Sequence, residues 1–206
     1  MKHFLYFIGF IVFGQLQAQH ITQKFFSTES ISTININGNS VFKITVETTK
    51  DANISMSSRV EGEHNEHIIL VTETKDSVLY VSTKYQPLFD KANDKLSAHK
   101  MSSIEFIITV PKHFNVQVNS DITDVIVKGQ YKYVAINLKS GHCTLHHFSG
   151  QSRVNTIEGN IVANINYAQV EAITKHGIIK KQNLDPGKTS LLLESINGNI
   201  TVNKSQ

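Results

Sequence analysis

Ser195-Ile-Asn-Gly-Asn-Ile-Thr-Val202 is the stretch that decides the fold. Its polar-Gly pair, Asn197-Gly198, separates two short runs. Leu191, Leu193 and Ser195 fall at alternate positions before the pair, and Ile200 and Val202 do so after it. Alternation with a period of two marks a strand with one buried face, and glycine at the break permits the positive φ of a sharp corner. Moving toward the N-terminus, the same unit recurs at His176-Gly177, Glu158-Gly159 and Ser140-Gly141, and Asp121 stands in an equivalent place. The units are 18 to 21 residues long.

Aligned on their corners, the units give columns. Seven residues before the corner stand Phe114, Val134, Ser152, Val170 and Leu191, and five before stand Val116, Ile136, Val154, Ala172 and Leu193. Three before come Val118, Leu138, Thr156, Thr174 and Ser195. Two after come Thr123, Cys143, Ile161, Ile179 and Ile200, and four after come Val125, Leu145, Ala163, Lys181 and Val202. Positions two apart share one face of a strand, so these columns predict an inward strip of small, apolar and Thr side chains. The positions between them, such as Asn119, Asn137, Lys139, Asn155, Glu171, His142 and Asn199, are mainly polar and predict a solvated outer face. A unit that buries one strip only by stacking on its neighbours is a repeat. The fold expected is all-β, a single β-solenoid of β-helix type. The alternative is a β-sandwich whose hairpins recur. Lys181 and the Asp185-Pro186-Gly187 insertion mark where the repeat loosens.

The N-terminal half joins this array by analogy and is open to a sandwich-like arrangement. Ile34 and Ile36 alternate before Asn37-Gly38-Asn39, and Phe42, Ile44 and Val46 alternate after it, a hairpin or corner signal. Ile104, Phe106, Ile108 and Val110 form another strand. Residues 85–103 carry Pro87, Asp90, Lys91, Asp94, Lys95 and Lys100 with few apolar residues, and read as a mobile insertion with one short helix around 93–98. The organisation expected is therefore a leader over 1–18, an N-terminal β-region over 19–110 and regular repeats over 111–206.

Lys2 and the apolar run Phe4 to Phe13, followed by Gly14-Gln-Leu-Gln-Ala18, read as a secretory signal peptide cut before Gln19. The run is shorter than the twenty or so apolar residues that cross a bilayer. No second such run follows, so the mature chain is expected to be exported, to periplasm or exterior, without a membrane span. The polar tail Asn203-Lys204-Ser205-Gln206 is expected to blunt an exposed end of the stack.

Composition narrows the chemistry. Of 206 residues 40% are hydrophobic, which is ordinary for a folded chain. The net charge is +3 and Arg59 and Arg153 are the only arginines, so no basic stripe for nucleic acid is present. Cys143 is the single cysteine, which excludes an internal disulfide and a redox pair. It falls in an inward column between Thr123 and Ile161, where a thiol acts as a small apolar group.

Histidines raise the question of metal. His142 and His146 are four residues apart on one strand, roughly 13 Å, and cannot grip one ion without a bend. A bulge at His146-His147 would bring one round. His64 and His67 form a His-x-x-His pair. Asp121, Asp124 and Lys128 are the candidates for acid-base work on a polysaccharide, though one carboxylate pair on a turn suits turn chemistry equally. Asp76-Ser77-Val78 looks like an O-glycosylation acceptor of some envelope bacteria, and Asn53 and Asn199 open sequons that matter only in a eukaryotic secretory route. No catalytic, cofactor or metal residue is assigned.

The strand, polar-Gly, strand pattern from Asn119 to Val202 resembles the bacterial β-strand-repeat domains known as putative adhesins, most closely in Ser195 to Val202. The strand Ile104 to Pro111 and the Ile-rich first strand after the leader are similar to that family too. The resemblance implies a solenoid in the cell envelope or medium and carries no catalytic residues to transfer. The function expected is a non-enzymatic adhesion or interaction module that meets glycans or an envelope protein through outer faces rich in Asn, Thr, Ser, Gln and His. A carbohydrate-active enzyme and a histidine-based metal sensor are the alternatives.

Overall fold

A computed structural model describes residues 20–61, 68–86 and 103–205. The leader over 1–18, His64, His67 and nearly all of the insertion over 85–103, with its expected helix, lie outside the described residues. All regular structure within them is strand. The first half contains β1 (His20–Ser27), β2 (Thr33–Asn37), β3 (Lys43–Thr49), β4 (Asn53–Glu61), β5 (Ile68–Lys75), β6 (Val78–Tyr85) and β7 (Ser103–Pro111). The second contains β8 (Phe114–Ile122), β9 (Asp124–Ser140), β10 (Cys143–Glu158), β11 (Ile161–Asn164), β12 (Tyr167–Thr174), β13 (Ile179–Lys181), β14 (Asp185–Ser195) and β15 (Ile200–Asn203).

All fifteen belong to one hydrogen-bonded network, which runs as two rows. One row is β1-β4-β7-β3-β9-β10-β11-β15-β13. The other is β5-β6-β2-β8-β9-β10-β14-β12. The long strands β9 and β10 belong to both: residues 124–128 and 143–146 lie in the first row, and 131–140 and 151–158 in the second. Pairing is parallel from β2 and β3 onward through the C-terminal half, whereas β1–β4, β4–β7 and β5–β6 at the N-terminal end are antiparallel. Inward residues of both rows form one core, from Ile34, Ile44 and Phe106 through Ile136, Cys143 and Leu145 to Ile161, Leu193 and Ile200. The Asn37-Gly38-Asn39 signal makes a corner between rows, since β2 pairs with β6 and β8 and β3 with β7 and β9.

The inward columns hold in kind but shift in register at the first unit. Val116 stacks on Val134, Val118 on Ile136 and Val125 on Cys143. The alignment on Asp121 was thus two residues early, and Thr123, not Asp121, occupies the corner seat equivalent to Gly141. An even slip leaves every side chain on its own face, so Phe114, Val116, Val118, Thr123 and Val125 are still buried. Thr123 replaces the missing glycine by turning its hydroxyl inward, onto the carbonyls of Gly38 and Val41. Phe42 departs from the expected alternation: Val41 takes the inward seat and Phe42 is 60% exposed.

The stacking order also differs from chain order. Ile161 pairs with Ile200 and Ile200 with Ile179, while Ser152 pairs with Leu191 and Leu191 with Val170. The last unit in the chain therefore threads between its two predecessors. The described tail residues 203–205 continue the tier of β15, where the Lys204 N–H donates to Gln182 Oε1 and the Ser205 N–H to Ile165 O. The exposed end of the stack is β12 and β13. That explains Lys181 in an apolar column: its tier has a neighbour on one side only, and Ile179, Lys180 and Lys181 are all exposed.

Candidate functional site

Parallel in-register tiers place equivalent side chains in lines across the strands, about 4.8 Å apart. One such line on the outer face of the second row reads Asn37, Asn119, Asn137, Asn155, Glu194, Ile173. The Asn137 amide donates to Asn119 Oδ1 at 3.0 Å and the Asn155 amide to Asn137 Oδ1 at 2.9 Å. Each of these amides uses one N–H in the ladder and keeps the other, with a carbonyl lone pair, for solvent or ligand. Two residues nearer the corner runs a second line: Asp121, Lys139, Ile157, Ile196, Lys175. Lys139 pairs with Asp121 at 2.7 Å. Arg153 pairs with Glu194 at 3.0 Å on the other flank of the amide line.

Between and around these lines lies an open groove of about 910 Å³ that crosses the tiers from Asn35 to Lys175. Its floor is amide from Asn37 through Asn155 and continues to Glu194, which pairs with Arg153. Its far wall is apolar, with Ile157, Ile173 and Ile196 each 42–47% exposed. The polar half of this arrangement was legible as outward Asn positions. The apolar wall was missed, although its signal was present as isoleucines on outward positions of the repeat.

The residues singled out by sequence fall elsewhere or are otherwise employed. Asp121 is held by Lys139 and its backbone N–H donates to Asn39 Oδ1. Asp124 Oδ1 accepts the His142 N–H at 2.8 Å, and Lys128 pairs with Glu47 at 2.8 Å. Asp121 lines the groove, Asp124 lines a separate hollow with Phe42 and Ile122, and Lys128 lines neither, so the three do not assemble.

His142 belongs to a corner ladder. Its Nδ1 accepts the Asn160 N–H at 2.9 Å, Asn160 Oδ1 accepts from Asn199, and Asn199 Oδ1 accepts from Ile178. A bulge is present after His146, where the register slips, and His147 adopts φ 45°. It stacks the rings of His146 and His147 at 5.2 Å and places His147 Nδ1 2.7 Å from Ser205 Oγ, far along the strand from His142. Among the described residues no three His, Cys, Asp or Glu side chains converge as metal ligands would. Cys143 is fully buried and lies between Val125 and Ile161, and burial pushes its thiol up to about 12. Asp76 and Ser77 form the exposed β5–β6 turn, both at positive φ.

No protein-family model and no curated protein matches the chain. No described helix is long and apolar enough to cross a membrane. Solved structures do match. A putative cell adhesion protein from Clostridium sporogenes is 13% identical, with a TM-score of 0.64 over 91% of this chain and 100% of that one. A putative adhesin from Bacteroides fragilis is 12% identical over 90% and 98%, with a TM-score of 0.43. A putative lipid binding protein from Parabacteroides distasonis is 13% identical over 87% and 96%, with a TM-score of 0.28. The likeness to the first covers about nine-tenths of this chain and all of that one: this chain has the fold of that putative cell adhesion protein.

Proposed function

We propose that the protein is an exported, non-enzymatic recognition module, a β-solenoid of the cell envelope or medium that binds a linear glycan along the groove of its second row. The observation that carries this reading is the juxtaposition of the Asn119–Asn137–Asn155 amide ladder with the Ile157–Ile196–Ile173 wall. A sugar chain presents hydroxyls in a regular series and apolar C–H faces beside them. Neutral amides that repeat at a fixed interval meet the first, and exposed isoleucines meet the second. Shallow, open grooves of this kind suit weak binding strengthened by many copies of the ligand. The adhesin fold likeness and the secretory reading of the leader agree with this setting.

Glycan-array binding of the purified protein tests it, with Asn137→Leu and Ile157→Asp alongside. Both residues face outward, so the variants keep the fold. Binding to a neutral linear glycan that falls about tenfold or more in each variant is the expected result. Absence of glycan binding, or binding indifferent to both variants, would overturn the proposal.

A further inference from the structure

The threading of the last unit leaves β12 with one neighbour, β14, and β13 with one neighbour, β15. These two strands form the open end of the parallel stack. At the opposite end the edge strands β1 and β5 are tied together, because Lys24 Nζ donates to Leu70 O and Thr72 Oγ1. The two open strands differ in kind. The three residues of β13 include Lys180 and Lys181, whereas β12 is eight residues long and carries Ile173, 47% exposed, on its outer face.

Around Ile173 the outer face reads Glu171, Ile173, Lys175, charges of opposite sign placed evenly about an isoleucine. Neither Glu171 nor Lys175 forms an ion pair within the described chain. The backbone phase fits the same centre. The Lys175 N–H is directed at Ser195 O of β14, so within β12 the alternation of a parallel ladder turns the odd residues toward β14 and the even ones toward the open edge. The alternation ends at the corner, where the His176 N–H is also directed to the β14 side, onto Ile196 O. Lys181 Nζ reaches one of those outward carbonyls, Val170 O, at 2.6 Å.

We propose that this edge pairs with the same edge of a second copy of the chain, antiparallel, about a two-fold axis through Ile173. Ala172 then exchanges N–H···O bonds with the second copy's Thr174, and Ile173 meets its own counterpart in a non-hydrogen-bonded pair, with Cα atoms about 4.5 Å apart. Glu171 stands opposite Lys175 twice, once on each side of the axis, which gives charge complementarity at this centre. Centred on Ala172 or Thr174 instead, the same strands would set Glu171 against Ile173 or Gly177. Val170 O, covered by Lys181, lies toward the end of the paired stretch and leaves the central bonds free.

Sedimentation of the purified protein over a range of concentrations tests this, and a reversible dimer is expected. Ala172→Pro removes an N–H that faces the open edge and none of the β14 ladder. It is expected to give a monomer with an unchanged thermal midpoint. Glu171→Lys and Lys175→Glu should each weaken the dimer about tenfold, and the double exchange should restore it. Ile173→Cys should yield a disulfide-linked dimer on oxidation and Glu171→Cys should not, since only the former lies on the axis and Cys143 is buried. A monomer at every concentration would overturn the proposal and leave the edge for another protein's strand. A dimer indifferent to Ala172→Pro and to the charge exchange would overturn it as well, by locating self-association elsewhere.

Discussion

His142 occupies a corner position filled in neighbouring tiers by Asp124, Asn160 and Asn199, and in each the side chain accepts a backbone N–H from the next tier. What the position requires is an acceptor two or three bonds from the backbone, and imidazole Nδ1 supplies one when its proton sits on Nε2. His142→Asn should therefore leave stability within about 0.5 kcal/mol of the parent, whereas His142→Val should cost about 0.5–1.5 kcal/mol, read from urea unfolding. Equal losses in the two would remove the ladder as an explanation of this histidine. The ladder was not legible in the sequence, because its partners are known only once the tier above is known. Cys143 was legible, since its column alone makes it core. Its consequence is an alkaline limb of stability. The unfolded thiol gives up its proton near 9.0 and the buried one near 12, so the unfolded state gains from that pH upward. The contribution of this group is whole below about pH 9 and falls as pH rises toward 12, by at most about 1.4 kcal/mol per unit. Tyr131, raised by burial and then by Glu47, acts in the same direction at higher pH. Denaturant titrations of the parent and of Cys143→Val should diverge in slope above pH 9, and parallel curves would assign the limb to other groups.

At the scale of elements, the columns read from the repeat specify which face of each strand is buried but not which tier lies on which. Exchanging two tiers leaves every column with the same membership. A sequence of this kind is therefore equally compatible with stacking in chain order and with the observed order, in which β14 and β15 lie between β10–β11 and β12–β13. The glycine corners record the choice. A Cβ at Gly159 would land on the carbonyl oxygen of Gly141, one at Gly198 on that of Gly159, and one at Gly177 on that of Gly198. The first tier escaped for the same reason in smaller form: Thr123 sits in the glycine seat, and a slip of two residues cost nothing in burial pattern. The order has a sharp consequence. Removing residues 184–206 takes away every strand partner of β12 and β13 as well as β14 and β15 themselves. The truncated chain should lose protection from hydrogen exchange across 167–181, while 114–158 keep theirs. Retained protection over 167–181 would mean chain-order stacking in the parent or closure of β12 and β13 onto the vacated edge of β10 and β11. A cross-link between Ser152→Cys and Leu191→Cys in the full chain separates the two, since these positions are neighbours only in the observed order.

The molecule as a whole presents a groove whose length is set by the number of tiers it crosses rather than by any one residue. From β2 through β8, β9, β10 and β14 to β12 there are five intervals of about 4.8 Å, a track of roughly 24 Å. The inward half of the design was visible from alternation. The outward half was visible only as polarity, because solvent and a ligand select similar residues and the isoleucines opposite the amides stand out only when the tiers are superposed. A site built by translation predicts a particular dependence on ligand length. Each added sugar should contribute a similar increment while it still lies over the track, and nothing once it overhangs. Affinity of the monomeric Ala172→Pro variant for a series of homologous linear oligosaccharides should therefore rise with length and level off once the chain spans about 24 Å, as measured by calorimetry. In the edge-paired dimer the track continues into the second copy. Asn155→Leu, near the middle of the floor, should divide the track and flatten that rise, so that long oligosaccharides bind the variant little better than short ones. A single sugar that binds as tightly as the longest member of the series would mean a point site, and the repeat would then serve stability alone.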